Sequence, residues 1–523
     1  MMTLARLIGA AALALGAAAA QAAGTLTVCT QSSPEGFDIA QYESVGTADA
    51  SSMTIYDQLI HFKPGGTELM PGLAESWQVS ADGMVYTFRV RSGVKFHSTP
   101  WFKPTRELNA DDVLFSINRV NDKKNPAYAL AKGGYVYWQG MEMDKLIKSA
   151  TKVDDHTVRI ELSKPEAPFL ADMAMPALGT IFSAEYAAQV LKSGQLENFN
   201  TQPVGTGPFV FKSYQKDAVV RYSANTAYWG GAPKIDNLIY AVTRDDDTRL
   251  QRVKAGECRV ALFIKQASAA TMPAGSNPAV VPVKVLRTSY LAINVKRQWL
   301  GDKRFREALR LALDKPAIVK NVYAGFAEPA VSLLPPSIWS HDASLREAHD
   351  VERAKQLVRA SGYDGSEISL TIASGRGTRD GELVQADWSR IGIKVRVEQM
   401  EIAELLKRAG RGDLDIAFMS WYGDNGDPDN FFTPNLSCAA VAGGGNKSQW
   451  CNAEFDALLD QARRTSGTAA RSALYVKAQK LIHDEIPLIP VAYPLVLNAV
   501  DKRVRGMNAT PFGLNDYRAA QVD

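Results

Sequence analysis

The sequence predicts an α/β fold. Segments with the apolar spacing of amphipathic helices are interleaved with short apolar runs typical of strands, which is the order that mixed helix and sheet lobes require. The composition agrees, because 46% hydrophobic and 22% charged residues are typical of a globular chain. A chain of 523 residues also exceeds the usual size of one domain, about 150 residues, roughly threefold. We therefore expect several lobes.

Alternation marks the first strands. Residues 25–28 and 85–90 alternate apolar and polar side chains, as a half-buried sheet requires. Asp82-Gly83, just before the second of these runs, is a turn signal. Residues 110–117 predict a helix with acidic residues in its first turn, where the helix dipole favours negative charge.

The second half of the chain continues the mixture of helices and strands, which indicates a further α/β lobe. The apolar spacing predicts helices over residues 304–313, 351–361, 381–391 and 469–484. Short apolar runs predict strands over residues 368–372, 393–399 and 416–419.

The charges of the chain nearly balance. Lys and Arg supply 59 residues and Asp and Glu supply 56, which leaves a formal net charge of +3. This balance argues against a protein that coats nucleic acid and against a polybasic membrane binder. We therefore expect no nucleic-acid partner.

The N-terminus has the pattern of a secretory signal. One positive charge, Arg6, precedes the apolar run 7–20, which is shorter than the about 20 residues that span a bilayer. The run ends in Ala20-Gln21-Ala22, a small-x-small pattern that signal peptidase cleaves. We interpret residues 1–22 as a signal peptide, with a buried N-terminal helix as the alternative.

Four cysteines remain after such a cleavage: Cys29, Cys258, Cys438 and Cys451. Four cysteines allow three pairings, and the sequence does not choose among them. The closeness of Cys438 and Cys451 favours a local bridge and leaves Cys29 for Cys258. Export favours oxidation, and none of the four has the C-x-x-C spacing of zinc or redox sites.

The usual catalytic and cofactor motifs are missing from the sequence. The six histidines form no H-E-x-x-H pattern, and there is no G-x-S-x-G element. Residues 443–448 superficially suggest a phosphate loop, but Asn446 stands where the glycine before the lysine belongs. We interpret this segment as a surface loop between two disulfide partners, and we expect no catalysis, metal or cofactor.

The acidic run 424–430 follows the predicted strand 416–419 and the short segment 420–423. A calcium loop would need alternating acids and a final Glu, where this chain has Asn435. Ligand crevices in α/β lobes form just beyond strand ends, so a carboxylate here is a candidate ligand group. The alternative is a solvated turn.

Several longer motifs occur in order along the chain, and on them it closely resembles the periplasmic dipeptide-binding proteins of ABC peptide importers, within solute-binding protein family 5. The resemblance covers nearly the whole mature chain from about residue 25. Its markers are SPEGF at 33–37, PGLAESW at 71–77, GVKFH at 93–97, LNADDV at 108–113, VGTGPF at 204–209 and the run 423–432.

The resemblance implies a two-lobed Venus-flytrap fold whose lobes close on the ligand by hinge motion. Lobe I would cover residues 23–285 with an extra subdomain inserted at about 56–203. Lobe II would cover 286–492, and residues 493–523 would return to lobe I. The resemblance also implies the disulfides Cys29–Cys258 and Cys438–Cys451.

The family's chemistry assigns a role to the element Trp421-Tyr422-Gly423-Asp424. In peptide-binding relatives the aspartate of such an element pairs with the ligand's α-ammonium. A buried charge needs a partner, and a peptide ammonium supplies one inside a closed cleft. The resemblance therefore implies that Asp424 binds the ligand.

Weaker similarities concern the opposite wall of the cleft. By the resemblance, the segment 43–46, with Glu43, Val45 and Gly46, would border the cleft and bond the peptide backbone. Tyr135 of the extra subdomain would lie nearby. Solvated loops or core packing are the alternatives for these residues.

The chain departs from its relatives in the segment that corresponds to their binding site for the ligand carboxylate. Dipeptide binders use an arginine in a segment with proline and asparagine, whereas this chain has the shorter segment 373–380. Arg376 is the nearest match and Arg379 the second, because a guanidinium suits a carboxylate through bidentate bonding. The alternative is that both are solvated. Because Glu43 also looks more like the oligopeptide binders, peptide length stays open.

The resemblance implies a periplasmic binding protein that captures short peptides, most of all dipeptides. It would deliver them to the membrane permease of an ABC importer without chemistry on the ligand. We expect a monomer, but the sequence leaves the oligomeric state open. The alternatives are another small solute, such as haem or a modified amino acid, and a secreted peptide hydrolase.

Overall fold

The structure is a computed structural model. The expected signal peptide 1–22 and the candidates Glu43 and Arg376 lie outside the residues that it describes. No helix among the described residues is long and apolar enough to cross a bilayer. The described residues are 24–42, 44–131, 133–374, 379–442 and 444–523.

Strands run through the whole described chain and pair into three sheets of four or more strands and three two-stranded ribbons. The strands are β1 (Thr25–Thr30), β2 (Ile60–Phe62), β3 (Leu69–Pro71), β4 (Ala74–Val79), β5 (Val85–Val90), β6 (Ile147–Asp154), β7 (Thr157–Leu162), β8 (Phe209–Gln215), β9 (Val219–Ala224), β10 (Asn237–Val242), β11 (Val260–Ala261), β12 (Ala279–Val283), β13 (Arg287–Ile293), β14 (Ala327–Pro329), β15 (Ile368–Ala373), β16 (Val395–Met400), β17 (Ile416–Tyr422), β18 (Leu488–Pro494), β19 (Val496–Val500), β20 (Val504–Arg505), β21 (Asn508–Ala509), β22 (Asn515–Asp516) and β23 (Gln521–Val522).

The helices are mostly short in the first half of the chain and longer in the second. They are α1 (Val45–Ser51), α2 (Ala110–Asn121), α3 (Val136–Gly140), α4 (Met143–Leu146), α5 (Phe169–Asp172), α6 (Pro176–Gly179), α7 (Ala184–Ser193), α8 (Asn198–Thr201), α9 (Asp246–Lys254), α10 (Gln266–Ala270), α11 (Lys303–Leu311), α12 (Lys315–Val322), α13 (Val351–Ser361), α14 (Arg379–Arg390), α15 (Ile402–Gly410), α16 (Asp429–Leu436), α17 (Cys438–Ala442), α18 (Ala453–Arg464) and α19 (Thr468–Glu485).

The first lobe is built on a seven-stranded sheet of order β12-β19-β11-β1-β10-β9-β8. β1 lies inside it, parallel to both β10 and β11. A strand with neighbours on both sides and covered faces is apolar on both faces, which explains the burial of Leu26, Val28 and Cys29. Because β19 comes from the C-terminal region, the first lobe is discontinuous in sequence.

The second lobe is built on a six-stranded sheet of order β14-β18-β13-β17-β15-β16. Side chains of β13 alternate between two cores, as a strand requires. Leu291 and Ile293 pack into one core with Trp388 of α14. Tyr290 and Ala292 pack into the other core with helices α16, α18 and α19. The sheet thus carries helices on both faces, which confirms the predicted α/β class.

An inserted sheet, β4-β5-β7-β6, lies in the chain between β1 and β8 and is antiparallel throughout. It belongs with the first lobe, because Phe88 of β5 and Leu26 of β1 are buried in one continuous core. The chain crosses from the first to the second lobe between β12 and β13 and returns between β18 and β19. The domain limits given above stay a prediction.

The predicted helices and strands are confirmed, with ends that differ by a few residues. The predicted strand 85–90 is β5, and the predicted helix 351–361 is α13. The predicted helix 110–117 extends to Asn121 as α2. Its N-terminus is closed by a capping box, in which the Asp112 carboxylate accepts a hydrogen bond from the backbone N–H of Asn109 at 3.0 Å.

Both predicted disulfides are present. Cys29 of β1 is bonded to Cys258, with Cα atoms 5.8 Å apart, and this bond ties β1 to the segment just before β11. Cys438 is bonded to Cys451, with Cα atoms 4.5 Å apart. Inside that second loop the side chain of Asn446 is buried and donates to the backbone oxygen of Trp450 at 2.7 Å. Asn446, which departs from the phosphate-loop pattern, therefore stabilises the conformation of this loop.

Candidate ligand site between the lobes

The element Trp421-Tyr422-Gly423-Asp424 lies at the end of β17, where the chain turns toward α16. The backbone N–H of Gly423 donates to the oxygen of Leu286 at 2.7 Å, which extends the pairing of β17 with β13 by one bond. The backbone N–H of Asp424 donates to the side-chain oxygen of Asn430 at 3.0 Å. Asp424 is therefore held by its backbone just beyond a strand end, where the sequence predicted a ligand group.

Gly423 is required by space. A Cβ atom at this position would lie 2.5 Å from a ring carbon of Phe431 and 3.1 Å from Cβ of Leu286. Phe431 is fully buried in the first turn of α16 and has no room to move. The absence of a side chain therefore lets the strand end pass close to α16 and sets the position of Asp424.

The carboxylate of Asp424 faces the first lobe. The hydroxyl of Tyr137 donates to Oδ1 of Asp424 at 3.2 Å. Tyr137 belongs to α3, in the inserted part of the first lobe, whereas Asp424 belongs to the second lobe. A half-buried carboxylate thus lies at the boundary of the two lobes, where it can hold a cationic group of a ligand.

Two other members of the element add polar and aromatic surface. The indole Nε1 of Trp421 is buried and has no hydrogen-bond partner among the described residues. Buried tryptophan N–H groups usually have a partner, so a carbonyl oxygen of a ligand would satisfy this donor. Tyr422 is 36% exposed, and its ring lies 5.0 Å from the guanidinium carbon of Arg287.

The remaining acids of the run 424–430 have structural partners. Asp427 forms two hydrogen bonds, at 2.8 and 2.9 Å, with the guanidinium of Arg471. Asp429 pairs with Arg463 at 3.1 Å. Over the described ranges no three acidic, histidine or cysteine side chains are grouped as metal ligands. Asp427 and Asp429 are therefore neutralised by arginines inside the second lobe.

A second set of contacts joins the lobes beside this element. Asn425 donates to Oδ1 of Asp172 in α5 at 2.6 Å. The backbone N–H of Ala167 donates to the oxygen of Arg463 at 2.8 Å. Burial raises the pKa of Glu166 to about 7, and burial together with the charge of Glu166 holds the pKa of Asp172 well above its usual range. The site is therefore closed on one side by carboxyl groups that favour their neutral form.

Val45 and Gly46 form the first turn of α1. Ser44 caps this helix, accepting a hydrogen bond from the backbone N–H of Thr47 at 3.3 Å. A Cβ atom on Gly46 would lie 2.7 Å from the hydroxyl of Ser32, so this turn packs closely on the residues after β1. A role of Val45 and Gly46 in ligand binding stays a prediction.

Tyr135 is fully buried in the core of the first lobe. Its hydroxyl accepts a hydrogen bond from Arg119 at 3.3 Å, and Arg119 forms a buried ion pair with Asp38 at 2.7 Å. The tyrosine whose hydroxyl contacts Asp424 is Tyr137, two positions later. Nothing in the sequence distinguishes these two tyrosines, because the helix that orients them is short and lacks a clear apolar period. A ligand role of Tyr135 stays a prediction.

Of the two arginine candidates, Arg379 is exposed and is the first residue of α14, and its ligand role stays a prediction. Arg376 lies outside the described residues. The neighbouring Asp380 has a buried Oδ1 with no hydrogen-bond partner in the described part of the chain. Burial raises the pKa of Asp380 to about 6, and the positive charge of Arg287 acts against this rise. The sequence did not single out Arg287.

Comparisons with known proteins agree on one family. The model of the bacterial extracellular solute-binding proteins, family 5, matches residues 68–443. Di/tripeptide-binding protein 4 of Pseudomonas aeruginosa is 47% identical over 98% of this chain and 97% of its own. Heme-binding protein A of Haemophilus influenzae is 40% identical over 95% of this chain and 92% of its own.

Solved structures give the same result. HbpA2 from Haemophilus parasuis superposes with a TM-score of 0.89 at 37% identity, covering 96% of this chain and 100% of that one. The dipeptide-binding protein from Pseudoalteromonas sp. SM9913, solved in complex with Met-Leu, superposes with a TM-score of 0.82 at 34% identity. That match covers 95% of this chain and 100% of the other. The two-lobed fold is thereby confirmed.

Proposed function

The chain belongs to the bacterial extracellular solute-binding proteins of family 5, and on this premise we propose that it captures short peptides, chiefly dipeptides. The observation that carries the proposal is the position of Asp424. Its carboxylate lies at the boundary of the two lobes, held by its own backbone and contacted by Tyr137 across the cleft. An α-ammonium group bound there would be enclosed when the lobes close.

The physical basis is charge complementarity. A carboxylate in a cleft that loses water on closure favours a cationic group of the ligand, and a peptide N-terminus provides one with three hydrogen-bond donors. The buried indole N–H of Trp421 provides a complementary donor for a peptide carbonyl. Recognition through the termini and the backbone would depend little on the side chains of the ligand, so the protein would bind peptides of many sequences.

The cellular role follows from the family. The proposed signal peptide would send the chain to the periplasm, where the closed, loaded protein would deliver its peptide to the membrane permease of an ABC importer. The relatives named for di- and tripeptides support this role. The ligand would leave chemically unchanged, so incubation of the purified protein with a dipeptide should release no free amino acids.

The test is the affinity of an Asp424→Asn variant, measured by titration calorimetry with a dipeptide. The change keeps the shape of the side chain and removes its charge, so it should weaken binding by on the order of 2–5 kcal/mol while the melting temperature stays near that of the wild type. Asp413→Asn is the matched control. Asp413 is an exposed acid that precedes the first residue of β17, whereas Asp424 follows its last residue. Equal affinities of the Asp424→Asn variant and the wild type would contradict the proposal.

A second candidate is a different small solute, because a relative of 40% identity is named a heme-binding protein. A thermal-shift panel with dipeptides, tripeptides, a modified amino acid and haem separates the two. A ligand at about 100 times its dissociation constant stabilises the folded state by about 2.7 kcal/mol, which such an assay resolves. A shift with haem and none with any peptide would replace the peptide proposal.

A further inference from the structure

Arg287 is fixed to the candidate ligand element by strand pairing. It is the first residue of β13 and stands opposite Tyr422 in the antiparallel register with β17. Residues opposite each other in such a pair point to the same face of the sheet, so the two side chains meet. The preceding residue, Leu286, accepts the hydrogen bond from Gly423. Arg287 and Asp424 thus lie at the same hydrogen-bonded strand end.

The guanidinium of Arg287 is oriented before any ligand binds. Its Nε donates to the hydroxyl of Ser420 at 2.9 Å, and its carbon lies 5.0 Å from the centre of the Tyr422 ring. One bond and one stacked face restrict the rotation of the side chain. Its two terminal nitrogens have no hydrogen-bond or ion-pair partner among the residues that the structure describes.

The charge of this guanidinium is also left without an ion pair. Its charge acts on Asp380 at the start of α14, which is half-buried and has one oxygen without a hydrogen-bond partner among the described residues. No carboxylate oxygen of the described residues lies within ion-pair distance of Arg287, and the hydrogen bond that its side chain makes goes to the neutral hydroxyl of Ser420. A fixed, half-buried, unpaired guanidinium is a site for a carboxylate that comes from outside the chain.

The strand end carries charges of both signs. Asp424 lies two residues beyond Tyr422, so the backbone allows at most about 7 Å between their Cα atoms, and the ring of Tyr422 lies against Arg287. A carboxylate and a guanidinium are thus held at one strand end, and they complement the opposite charges of a dipeptide zwitterion.

We propose that Arg287 receives the C-terminal carboxylate of the ligand and that it, rather than Arg379, sets the preference for short peptides with a free C-terminus. The inference rests on the proposed function and deepens it. Arg379 is exposed at the surface end of α14, whereas Arg287 is oriented by Ser420 and Tyr422 beside the element that holds Asp424. The carboxylate would take a bidentate bond from the two terminal nitrogens.

The experiment compares Met-Leu with its C-terminal amide by titration calorimetry. The wild type should bind the free acid at least about thirtyfold more tightly than the amide. In Arg287→Gln the two ligands should differ by less than about threefold, because the group that senses the carboxylate is gone. Arg287→Lys keeps the positive charge but removes the paired terminal nitrogens that allow bidentate bonding, so it should give an intermediate ratio. Arg379→Gln tests the rival assignment and should keep the wild-type ratio.

The ratio is measured within each variant, so a general loss of affinity or stability does not alter its meaning. An Arg287→Gln protein that binds weakly but keeps the wild-type ratio would overturn the inference, as would loss of the ratio in Arg379→Gln alone. A wild type that binds neither form of Met-Leu nor any other peptide would overturn the proposed function as well. Failure of the arginine alone leaves dipeptide binding by the wild type intact.

Discussion

At the scale of single residues, the geometry of the candidate site depends on a position that has no side chain, Gly423. Gly423 lets the end of β17 pass within contact distance of Phe431 and Leu286. Only this close passage brings the carboxylate of Asp424 to the boundary of the lobes, where Tyr137 reaches it. Under the proposed function, the glycine would therefore affect ligand binding through the position of Asp424.

Gly423→Ala should lower both stability and peptide affinity. The added methyl group would lie 2.5 Å from the Phe431 ring, and overpacking of this kind costs about 1–3 kcal/mol. Denaturant unfolding measures the first effect and calorimetry the second. Gly140→Ala is the control, because a Cβ atom there meets nothing within 4 Å. Wild-type stability and affinity in Gly423→Ala would show that the strand end can shift without consequence.

At the scale of secondary structure elements, the acidic run separates into two functions. Asp424 lies before α16 and faces the cleft. Asp427, just before α16, pairs with Arg471 of α19, and Asp429, in the first turn of α16, pairs with Arg463 of α18. Arg471 is buried and also donates to the hydroxyl of Tyr475 at 2.9 Å. Neighbouring carboxylates of one segment thus have different surroundings: Asp424 is proposed to bind the ligand, whereas Asp427 and Asp429 stabilise the fold.

Asp427→Ala should destabilise the second lobe by about 3–5 kcal/mol, because it leaves the buried charge of Arg471 without a partner. Chemical denaturation monitored by tryptophan fluorescence measures this loss. A double variant, Asp427→Ala with Arg471→Met, should recover much of the stability, since no buried charge is then unpaired. A fully stable single variant would contradict the structural role of the pair.

The sequence was informative for elements because their signals are local. The apolar spacing of α13 and the alternation of β5 depend on residues that are close in the chain. The same holds for the Cys438–Cys451 bridge, whose partners are 13 residues apart. The buried role of Asn446 was not predicted, because burial of a polar residue depends on what packs around it.

At the scale of the whole molecule, the two lobes meet beside the candidate site through buried carboxyl groups whose pKa is raised. Glu166 and Asp172 of the first lobe face Asp427, Asp429 and Arg463 of the second. Asn425 supplies a direct hydrogen bond to Asp172. Burial in the closed arrangement is the first cause of the raised pKa of both carboxyl groups, ahead of repulsion by the neighbouring acids.

Lower pH should favour closure of the lobes. The pKa of Glu166 is raised to about 7 by burial where the lobes touch, and solvent exposure on opening would return it toward its ordinary value, so the closed form should bind more protons between these values. This contribution is fully present below the ordinary pKa of a glutamic acid and is lost as the pH rises through about 7. Small-angle X-ray scattering of the ligand-free protein should therefore show a smaller radius of gyration at pH 5.5 than at pH 8.

Glu166→Gln serves as the control for this prediction, because an amide stays neutral over the whole range. It should weaken the pH dependence of the radius, while Asp172→Asn tests the second carboxyl group. A radius that grows as the pH falls would contradict the assigned direction. A wild-type profile that both variants reproduce would show that other groups control closure.

The sequence alone determined the α/β class and most helices and strands, because these features depend on residue types and spacings along the chain. The position of the acidic run just beyond a predicted strand end made it a ligand candidate, and the family resemblance implied the role of the Trp421-to-Asp424 element. The sequence also led to the disulfides, because four cysteines leave few pairings and the family resemblance chooses among them.

Only the tertiary structure decided which side chains meet at the site. Tyr137 reaches Asp424 across 287 positions of sequence, and Arg287 reaches Ser420 across 133. The first contact depends on how the lobes face each other and the second on the register of β13 with β17. Such contacts are set by the packing of whole elements, which leaves no local pattern in the chain from which they could be predicted.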